Sequence, residues 1–264
     1  MNSKVTYLME GFNIQEPGYC RKMLLKNNKE YIYKNHSFLK SVSIDDEFKH
    51  ITFTLLPDKN VKEFLNEIGN ELERICFNII AYSDVSTCNP VCFCEKIIDK
   101  NGNEEKIELH DQLKIRDSVS ITATCDATDF FEEIMSQNTP ISEHKAQYKE
   151  LFFILHNPHR VIQFIALYDV LLGLIRSSDE RNKQQRVHDF FGKNKERYPY
   201  IDFKNCNNNP NKKEDMFTHL RNTIAHSQNA GIEEFSRVAA SITPQYISLI
   251  LRVINDILSG VVTV

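Results

Sequence analysis

Residues 216–226 read Met-Phe-Thr-His-Leu-Arg-Asn-Thr-Ile-Ala-His and have the three- and four-residue periodicity of an amphipathic helix. Its apolar side carries Met216, Phe217, Leu220, Thr223 and Ile224. His219, Asn222 and His226 follow each other at spacings of three and four, which places them on a second, polar face. Arg221 lies between the two faces. The pattern predicts a helix that packs on a core with one side and presents two imidazoles, an amide and a guanidinium elsewhere.

These side chains suit chemistry on a phosphodiester. The planar guanidinium of arginine matches two phosphate oxygens and keeps its charge. Histidine accepts or donates a proton near neutral pH. RNA supplies its own nucleophile, the 2′-hydroxyl, so such a site needs neither a metal nor a cofactor. The expected products are a 2′,3′-cyclic phosphate and a 5′-hydroxyl, with Asn222 orienting the imidazole or holding a phosphate oxygen.

The spacing between Arg221 and His226 sets a geometric condition on any shared site. Five residues at about 100° each place the two side chains about 140° apart around the helix axis and about 7.5 Å apart along it. Arg221 must therefore bend round, the helix must be distorted, or a second copy must complete the site. We favour the second copy, because two helices related by a twofold axis would bring two arginines and two histidines into one cleft.

The most apolar helix expected in the chain is Arg160–Ile175. It is shorter than the ~20 residues of a membrane span and contains Gln163 and Asp169, so we interpret it as a buried core helix and expect no membrane association. A buried carboxylate is unfavourable unless it is paired. Asp169 is therefore expected to face solvent or a partner, and Arg221 is one candidate partner.

Further helices are expected on both sides of this one. Ser142 is a suitable N-cap for the first of them. Asn205–Asn211 is rich in asparagine and contains Pro210, which indicates a loop. The expected helices are Ser142–Leu155, Asp179–Phe191, Lys212–Ser227 and Pro244–Leu258. Residues 140–264 are thus predicted to form an all-α helical bundle.

The motif resembles a known family. Arg221-Asn222-x-x-x-His226 is similar to the Arg-x4-6-His signature of the HEPN superfamily, in which a polar residue often follows the arginine. The string from His219 to His226 is similar to the form in many bacterial HEPN domains, and Arg160–Tyr168 resembles an early core helix of that bundle. The resemblance covers about Ser142–Val264.

The resemblance implies an all-α, HEPN-like bundle, a homodimer formed through the motif helix, and metal-independent endoribonuclease activity. Proteins of this type act in toxin–antitoxin, abortive-infection or phage-defence systems, so an antitoxin or regulatory partner is also implied. By this match Arg221 and His226 are the catalytic pair and Asn222 assists them. His219 and Asp169 are candidate supporting residues, with solvated surface side chains as the alternative for each.

Residues 1–128 have a different pattern, that of an α+β domain. A long amphipathic helix is expected from Val61 to Ile79, and Asn101-Gly102 is typical of a tight hairpin turn. Strands are expected at Val5–Met9, Tyr31–Tyr33, Ile51–Leu55, Val91–Ile98 and Ile107–Leu109, and around Val119, Ile121 and Ala123. Asp129–Thr139 has the composition of a linker. No catalytic pattern is evident here, so the domain is expected to sense, bind or restrain.

The net charge of the chain limits how it can bind RNA. The net charge is −4 over 264 residues, so no general basic field attracts nucleic acid, and any RNA contact must be local. One candidate patch combines basic and aromatic side chains, a composition that can hold single-stranded RNA. Its members are Lys193, Lys195, Arg197, Tyr198 and Tyr200. A solvated loop is the alternative for this segment.

The seven cysteines are odd in number and scattered, and no signal peptide is evident. Reduced thiols in the cytoplasm are expected. Cys88, Cys92 and Cys94 are closely spaced but lack a second pair of ligands, which favours structural thiols over a metal site. The alternative to a ribonuclease is a non-catalytic interaction module that uses the Arg221–His226 helix to hold a partner or a nucleotide phosphate.

Overall fold

The computed structural model describes residues 2–10, 14–16, 19–24, 29–45, 49–82, 91–106, 121–126, 128–157, 159–175, 183–206 and 209–264. The chain divides into two compact units, Met1–Tyr148 and Lys149–Val264. Across the described ranges the protein is α+β, with a six-stranded antiparallel sheet, two smaller sheets and eight α-helices. None of the helices in these ranges combines the length and the apolar character needed to cross a bilayer.

The first unit is built on the six-stranded sheet, whose strand order is β4-β5-β6-β1-β7-β8. Val5 and Tyr7 of β1 face Phe53 and Ile51 of β6, and all four side chains are buried. The small sheet has the order β2-β3-β9, with β3 and β9 parallel. The strands are β1 (Lys4–Glu10), β2 (Ile14–Glu16), β3 (Tyr19–Leu24), β4 (Lys29–Ile32), β5 (Leu39–Ile44), β6 (His50–Leu55), β7 (Val91–Ile98), β8 (Glu104–Lys106) and β9 (Ile121–Asp126).

The alternating strands of this unit were predicted well. β1, β6 and β7 lie where the period-two pattern placed them. Gly102 has a φ of 88° in the turn after β7, as the Asn-Gly pair predicted, and β8 returns along β7. The return strand expected at Ile107–Leu109 lies outside the described residues, as does Val119.

Two helices belong to the first unit, α1 (Leu65–Tyr82) and α2 (Thr128–Ser136). The helix expected from Val61 is confirmed, except that its first residues form a short 3-10 turn. The linker expected at Asp129–Thr139 is wrong, because most of this stretch is α2, which buries Phe131, Ile134 and Met135. Asn78 of α1 holds α2 in place. The side-chain amide of Asn78 donates a hydrogen bond to the Ile134 carbonyl at 2.9 Å and accepts one from the Thr139 hydroxyl at 2.6 Å.

The second unit is mainly helical. Its core lies between α4 and α8, with Phe164, Leu167 and Ile250 fully buried. The helices are α3 (Lys145–Leu155), which begins in the first unit, α4 (Arg160–Ile175), α5 (Lys183–Lys193), α6 (Met216–Ala230), α7 (Ile232–Ala240) and α8 (Pro244–Leu258). Two strands interrupt them, β10 (Phe203–Cys206) and β11 (Asn209–Asp215).

The all-α prediction for this unit is therefore incorrect in one segment. Asn205–Asn211 was expected to be a loop and Lys212 to open a helix, yet β10 and β11 form an antiparallel hairpin with Phe203 opposite Asp215 and Lys204 opposite Glu214. Strand pairing satisfies the backbone although most of the side chains are polar. The following helix begins only at Met216.

Two other boundaries differ from the sequence prediction. Ser142 does not cap a helix, because residues 141–144 form a turn in which His144 N–H donates to the Pro140 carbonyl, and α3 begins at Lys145. The described part of α5 begins at Lys183, and residues 179–182 of the expected helix lie outside the described ranges. Helix α7 was not predicted from the sequence.

Candidate functional site on helix α6

The start of α6 is fixed by Asp215, the last residue of β11. Its Oδ1 accepts hydrogen bonds from the backbone N–H groups of Phe217 at 3.1 Å and Thr218 at 2.9 Å. Its Oδ2 accepts from the Thr218 hydroxyl at 2.7 Å, and that hydroxyl is 2.9 Å from the hydroxyl of Tyr168 on α4. Burial raises the pKa of Asp215, and the hydrogen bonds from Thr218 and Phe217 partly offset this. Asp215 thus caps α6 and ties its first turn to α4.

The apolar side of α6 is as the sequence predicted. Met216, Phe217, Leu220 and Ile224 are buried, and the Phe217 ring lies against the rings of Phe164 and Phe191. Thr223 is half-buried, and its hydroxyl donates to the carbonyl of His219. This packing fixes the rotation of the helix and therefore which residues face outward.

The polar face is organised by a carboxylate that precedes the helix. Glu214 is buried, and its Oε1 is 3.0 Å from His219 Nδ1. Its Oε2 accepts a hydrogen bond from the Asn222 side-chain amide at 3.1 Å, and Asn222 Oδ1 accepts from Gln184 of α5 at 3.1 Å. The structure thus gathers His219 and Asn222 around one carboxylate. When His219 donates through Nδ1, its Nε2 is left as the proton acceptor of the neutral ring.

Glu214 and Gln184 were not identified as site residues from the sequence. In the structure Glu214 contacts His219 and Asn222. The sequence does show an acidic residue five positions before a histidine. The direction of the Glu214 side chain, however, depends on the β10–β11 hairpin, which was not predicted.

Arg221 lies on another side of α6, near Tyr168 of α4. Burial raises the pKa of the Tyr168 hydroxyl, and the charge of Arg221 acts to lower it. Arg221 is half-buried, and within the described ranges its guanidinium forms no hydrogen bond or ion pair. A guanidinium in this state keeps its donors available for an anion.

Asp169 and His226 are both exposed. The charge of Asp169 acts to raise the pKa of the Tyr168 hydroxyl, whereas the charge of Arg221 acts to lower it. No ion pair between Asp169 and Arg221 is present in the part of the chain that the structure describes. Asp169 was expected to face a partner or solvent, and in the structure it faces solvent.

Helix α6 is an unbroken α-helix from Met216 to Ala230. The separation of about 140° and 7.5 Å between Arg221 and His226 that a regular helix imposes therefore applies to this chain. Of the three ways to bring the pair together, distortion of the helix is not what the structure shows. His219 and Asn222 converge on Glu214, whereas Arg221 and His226 leave the axis of α6 about 140° apart.

The basic and aromatic run that follows α5 is divided between core and surface. Tyr198 is buried, and its hydroxyl donates to Asp256 at 2.9 Å. Arg197 Nε also donates to Asp256, at 2.8 Å. Lys195 and Tyr200 are exposed. Two of the five residues of the predicted RNA-binding patch, Arg197 and Tyr198, are therefore engaged in hydrogen bonds within the unit.

The cysteines form no metal site in the described ranges, in which no group of three or more potential metal ligands is found. Cys76 Sγ of α1 lies 3.4 Å from Cys92 Sγ of β7. The hydrogen bond with Cys92 and burial raise the pKa of the Cys76 thiol. Cys88 lies outside the described residues.

No protein-family model, curated protein or solved structure matches this chain. Support for a function therefore comes from the residues themselves. The relevant features are the available guanidinium of Arg221, the exposed imidazole of His226, and the carboxylate that holds His219 and Asn222.

Proposed function

We propose that the second unit is a HEPN-like endoribonuclease that cleaves RNA without a metal ion. The observation that carries this proposal is the state of Arg221, a half-buried guanidinium with no ion-pair partner among the described residues, on the same helix as the exposed His226. An arginine held against a protein surface without a carboxylate is suited to bind an anion such as a phosphodiester. An imidazole brought to that phosphodiester can accept the proton of the RNA 2′-hydroxyl.

In the proposed reaction the guanidinium of Arg221 binds the non-bridging oxygens of the scissile phosphate. His226 accepts the proton of the 2′-hydroxyl, and the 2′-oxygen forms a bond to phosphorus. The bond between phosphorus and the 5′-oxygen breaks, and that oxygen takes a proton from solvent. The products are a 2′,3′-cyclic phosphate and a 5′-hydroxyl. Arg221 stabilises the charge that develops on the phosphoryl oxygens.

We further propose that each complete site takes Arg221 from one chain and His226 from a second copy. The support is geometric: α6 is regular, so one helix does not aim both side chains at one phosphate. Two α6 helices related by a twofold axis remove this difficulty, because each arginine can then meet the histidine of the other chain.

The proposed setting is the cytoplasm, in phage defence, abortive infection or a toxin–antitoxin pair. The first unit would serve as a sensing, binding or restraining module, or a separate antitoxin would provide the restraint. An RNA-cleaving protein that is active at all times harms its own cell, so some form of control accompanies the activity.

The experiment is a cleavage assay on end-labelled RNA with the full chain in excess EDTA. The wild type is expected to cut, and Arg221→Ala and His226→Ala are each expected to abolish cutting, while circular dichroism shows an intact fold. His159→Ala, which removes another exposed histidine of the same unit, is the matched control. Cleavage that survives both α6 substitutions would refute the proposal, as would a strict requirement for a divalent metal.

One observation favours a second candidate, a non-catalytic interaction module. Both ends of the Asn222 amide are engaged inside the protein, by Glu214 and by Gln184, which suits a structural role. In that case α6 would hold a partner or a nucleotide phosphate without turnover. Protection of α6 amides from hydrogen exchange by a phosphate-bearing ligand, with no RNA cleavage, would favour the module over the enzyme.

A further inference from the structure

A second candidate site lies in the same unit, where β10, α6 and α8 meet. It is a cleft with a volume of about 320 Å³. Among the residues that line it are Tyr200, Lys204, Met216, Tyr246, Leu249 and Arg252. None of them is among the residues assigned to the proposed reaction, so the cleft is separate from that site.

The two tyrosines of the cleft are held by buried aromatic rings. Tyr246 makes an edge-to-face contact with Phe164, with ring centroids 6.4 Å apart, and Tyr200 makes one with Tyr198, at 6.1 Å. Phe164 and Tyr198 belong to the core. Tyr200 itself is 39% exposed. Aromatic rings fixed in this way lose little side-chain entropy when a flat ligand stacks on them.

The remaining lining gives the cleft an apolar floor and a basic edge. Met216 and Leu249 are buried side chains that line it. Lys204 and Arg252 are two cationic side chains among the described residues that line the cleft, and Asp202 lines it too. These cations provide a local basic region in a chain whose net charge is −4. The combination of aromatic rings with cations is the one by which proteins hold single-stranded nucleic acid.

The start of α8 adds to the attraction for an anion. Thr243, the N-cap of α8, makes no side-chain capping hydrogen bond, and Gln245 and Tyr246 of the first turn line the cleft. The positive end of the helix dipole therefore acts in the same direction as Lys204 and Arg252. A phosphate at this edge would be favoured by both contributions.

We propose that this cleft is a nucleotide subsite for single-stranded RNA. The base stacks on the tyrosine rings, and Arg252 and Lys204 bind the adjacent phosphate. The proposal rests on the ribonuclease function above and deepens it, because it places part of the substrate strand outside the scissile position. Met216 lies about 7.5 Å from Arg221 along the axis of α6 and about 140° around it, so a strand that occupies both places must curve around the helix.

The experiment measures binding separately from cleavage. The probe is a fluorescent 2′-O-methyl oligonucleotide, which lacks the nucleophilic hydroxyl and cannot be cut by the proposed route. Fluorescence anisotropy gives its Kd for the full-length wild type, Tyr200→Ala and Arg252→Gln. Phe153→Ala removes an aromatic ring that is 81% exposed elsewhere in the unit, and Arg237→Gln removes an exposed arginine, so these are the matched controls.

Tyr200→Ala is expected to weaken binding by about 5- to 150-fold, the range found for loss of one base-stacking ring. Tyr200→Phe retains the ring and should bind like the wild type, which separates stacking from a folding defect. Arg252→Gln should lower the slope of log K against log salt by about 1, because one phosphate contact is lost. Both matched controls should leave the Kd unchanged.

Unchanged affinity in both cleft variants would overturn the proposal, as would a wild type that does not bind the probe. AMP serves as the competitor for a free nucleotide, and an oligonucleotide that binds no more tightly than AMP would overturn the assignment to a strand. The outcomes for the two proposals are distinct. Probe binding that depends on the cleft, without cutting of unmodified RNA, would contradict only the ribonuclease.

Discussion

Glu214 and His219 are in direct contact on the polar face of α6, with the buried carboxylate 3.0 Å from Nδ1 of the imidazole. The second oxygen of the carboxylate accepts a hydrogen bond from Asn222. A carboxylate at Nδ1 fixes both the tautomer and the orientation of a histidine ring. His219 therefore presents Nε2 in a defined direction, although it lies on a different side of α6 from Arg221.

If this contact serves the proposed reaction, Glu214→Gln should lower the rate of RNA cleavage by about tenfold. This is less than the roughly 10²–10⁴-fold that a proton-transfer group itself contributes, because Glu214 acts only through His219. The neutral amide retains an oxygen for Asn222, but it no longer favours the tautomer of His219 that carries its proton on Nδ1. Because Glu214 does not touch the phosphate in the proposed reaction, kcat should fall while KM stays within about twofold. Steady-state kinetics with Glu233→Gln as an exposed control checks this, and equal losses in both variants would contradict it.

The shared site predicts complementation between inactive proteins. Arg221→Ala and His226→Ala are each inactive alone, but a 1:1 mixture should regain about a quarter of the wild-type activity, since half of the dimers are mixed and each retains one of two complete pairs. The mixture is unfolded, refolded together and assayed for RNA cleavage. If each chain used its own pair, no mixed dimer would contain a complete site. A mixture that stays inactive although mixed dimers form would therefore rule out sharing.

Asp215 should matter more for stability than for chemistry. Asp215→Ala removes the N-cap of α6 and leaves the buried Thr218 hydroxyl without its acceptor, so the free energy of unfolding should fall by about 1–3 kcal/mol. Asp215→Asn retains one side-chain oxygen for the backbone N–H groups and should lose less. Urea unfolding of the three proteins tests the order. Equal stability of the wild type and the alanine variant would show that the cap contributes little.

In the first unit, His36 should make stability depend on pH. Its Nδ1 accepts a hydrogen bond from Leu39 N–H at 3.1 Å, and burial lowers its pKa below the ordinary 6.5. The unfolded chain therefore binds a proton more readily than the folded one. The resulting stability is fully present above pH 6.5 and is lost as the pH falls through the lower, folded pKa. His36→Asn, which does not titrate there, should reduce the loss of unfolding free energy between pH 7.5 and 5.5, as urea titrations at each pH would show.

Much of the fold follows from local periodicity, which the sequence displays directly. β1 and β6 alternate buried and less buried residues, and α1 and α8 carry apolar stripes, so each was predicted with nearly the observed bounds. The apolar side of α6 was predicted for the same reason. In these elements the burial pattern repeats along one segment, and no information about its neighbours is needed.

The β10–β11 hairpin and α2 could not be predicted in this way. The strands of the hairpin read Phe-Lys-Asn-Cys and Asn-Pro-Asn-Lys-Lys-Glu-Asp, so they lack the alternating apolar pattern by which a strand is recognised from sequence, and only their pairing reveals them. Helix α2 is held by a long-range contact, because its Ile134 carbonyl accepts a hydrogen bond from the side-chain amide of Asn78, 56 residues away. The polar stripe of α6 was visible, but the role of Glu214 was not, because it depends on that hairpin.

The junction between β11 and α6 has no intervening residue: the strand ends at Asp215, and the helix begins at Met216. Glu214 and Asp215 act there as consecutive anchors, one for the polar face and one for the helix start. The chain therefore cannot be cut, circularly permuted or fused to a tag between residues 214 and 216 without releasing both. A split reporter built from this protein would have to divide it elsewhere, and the turn between α7 and α8 keeps the junction whole.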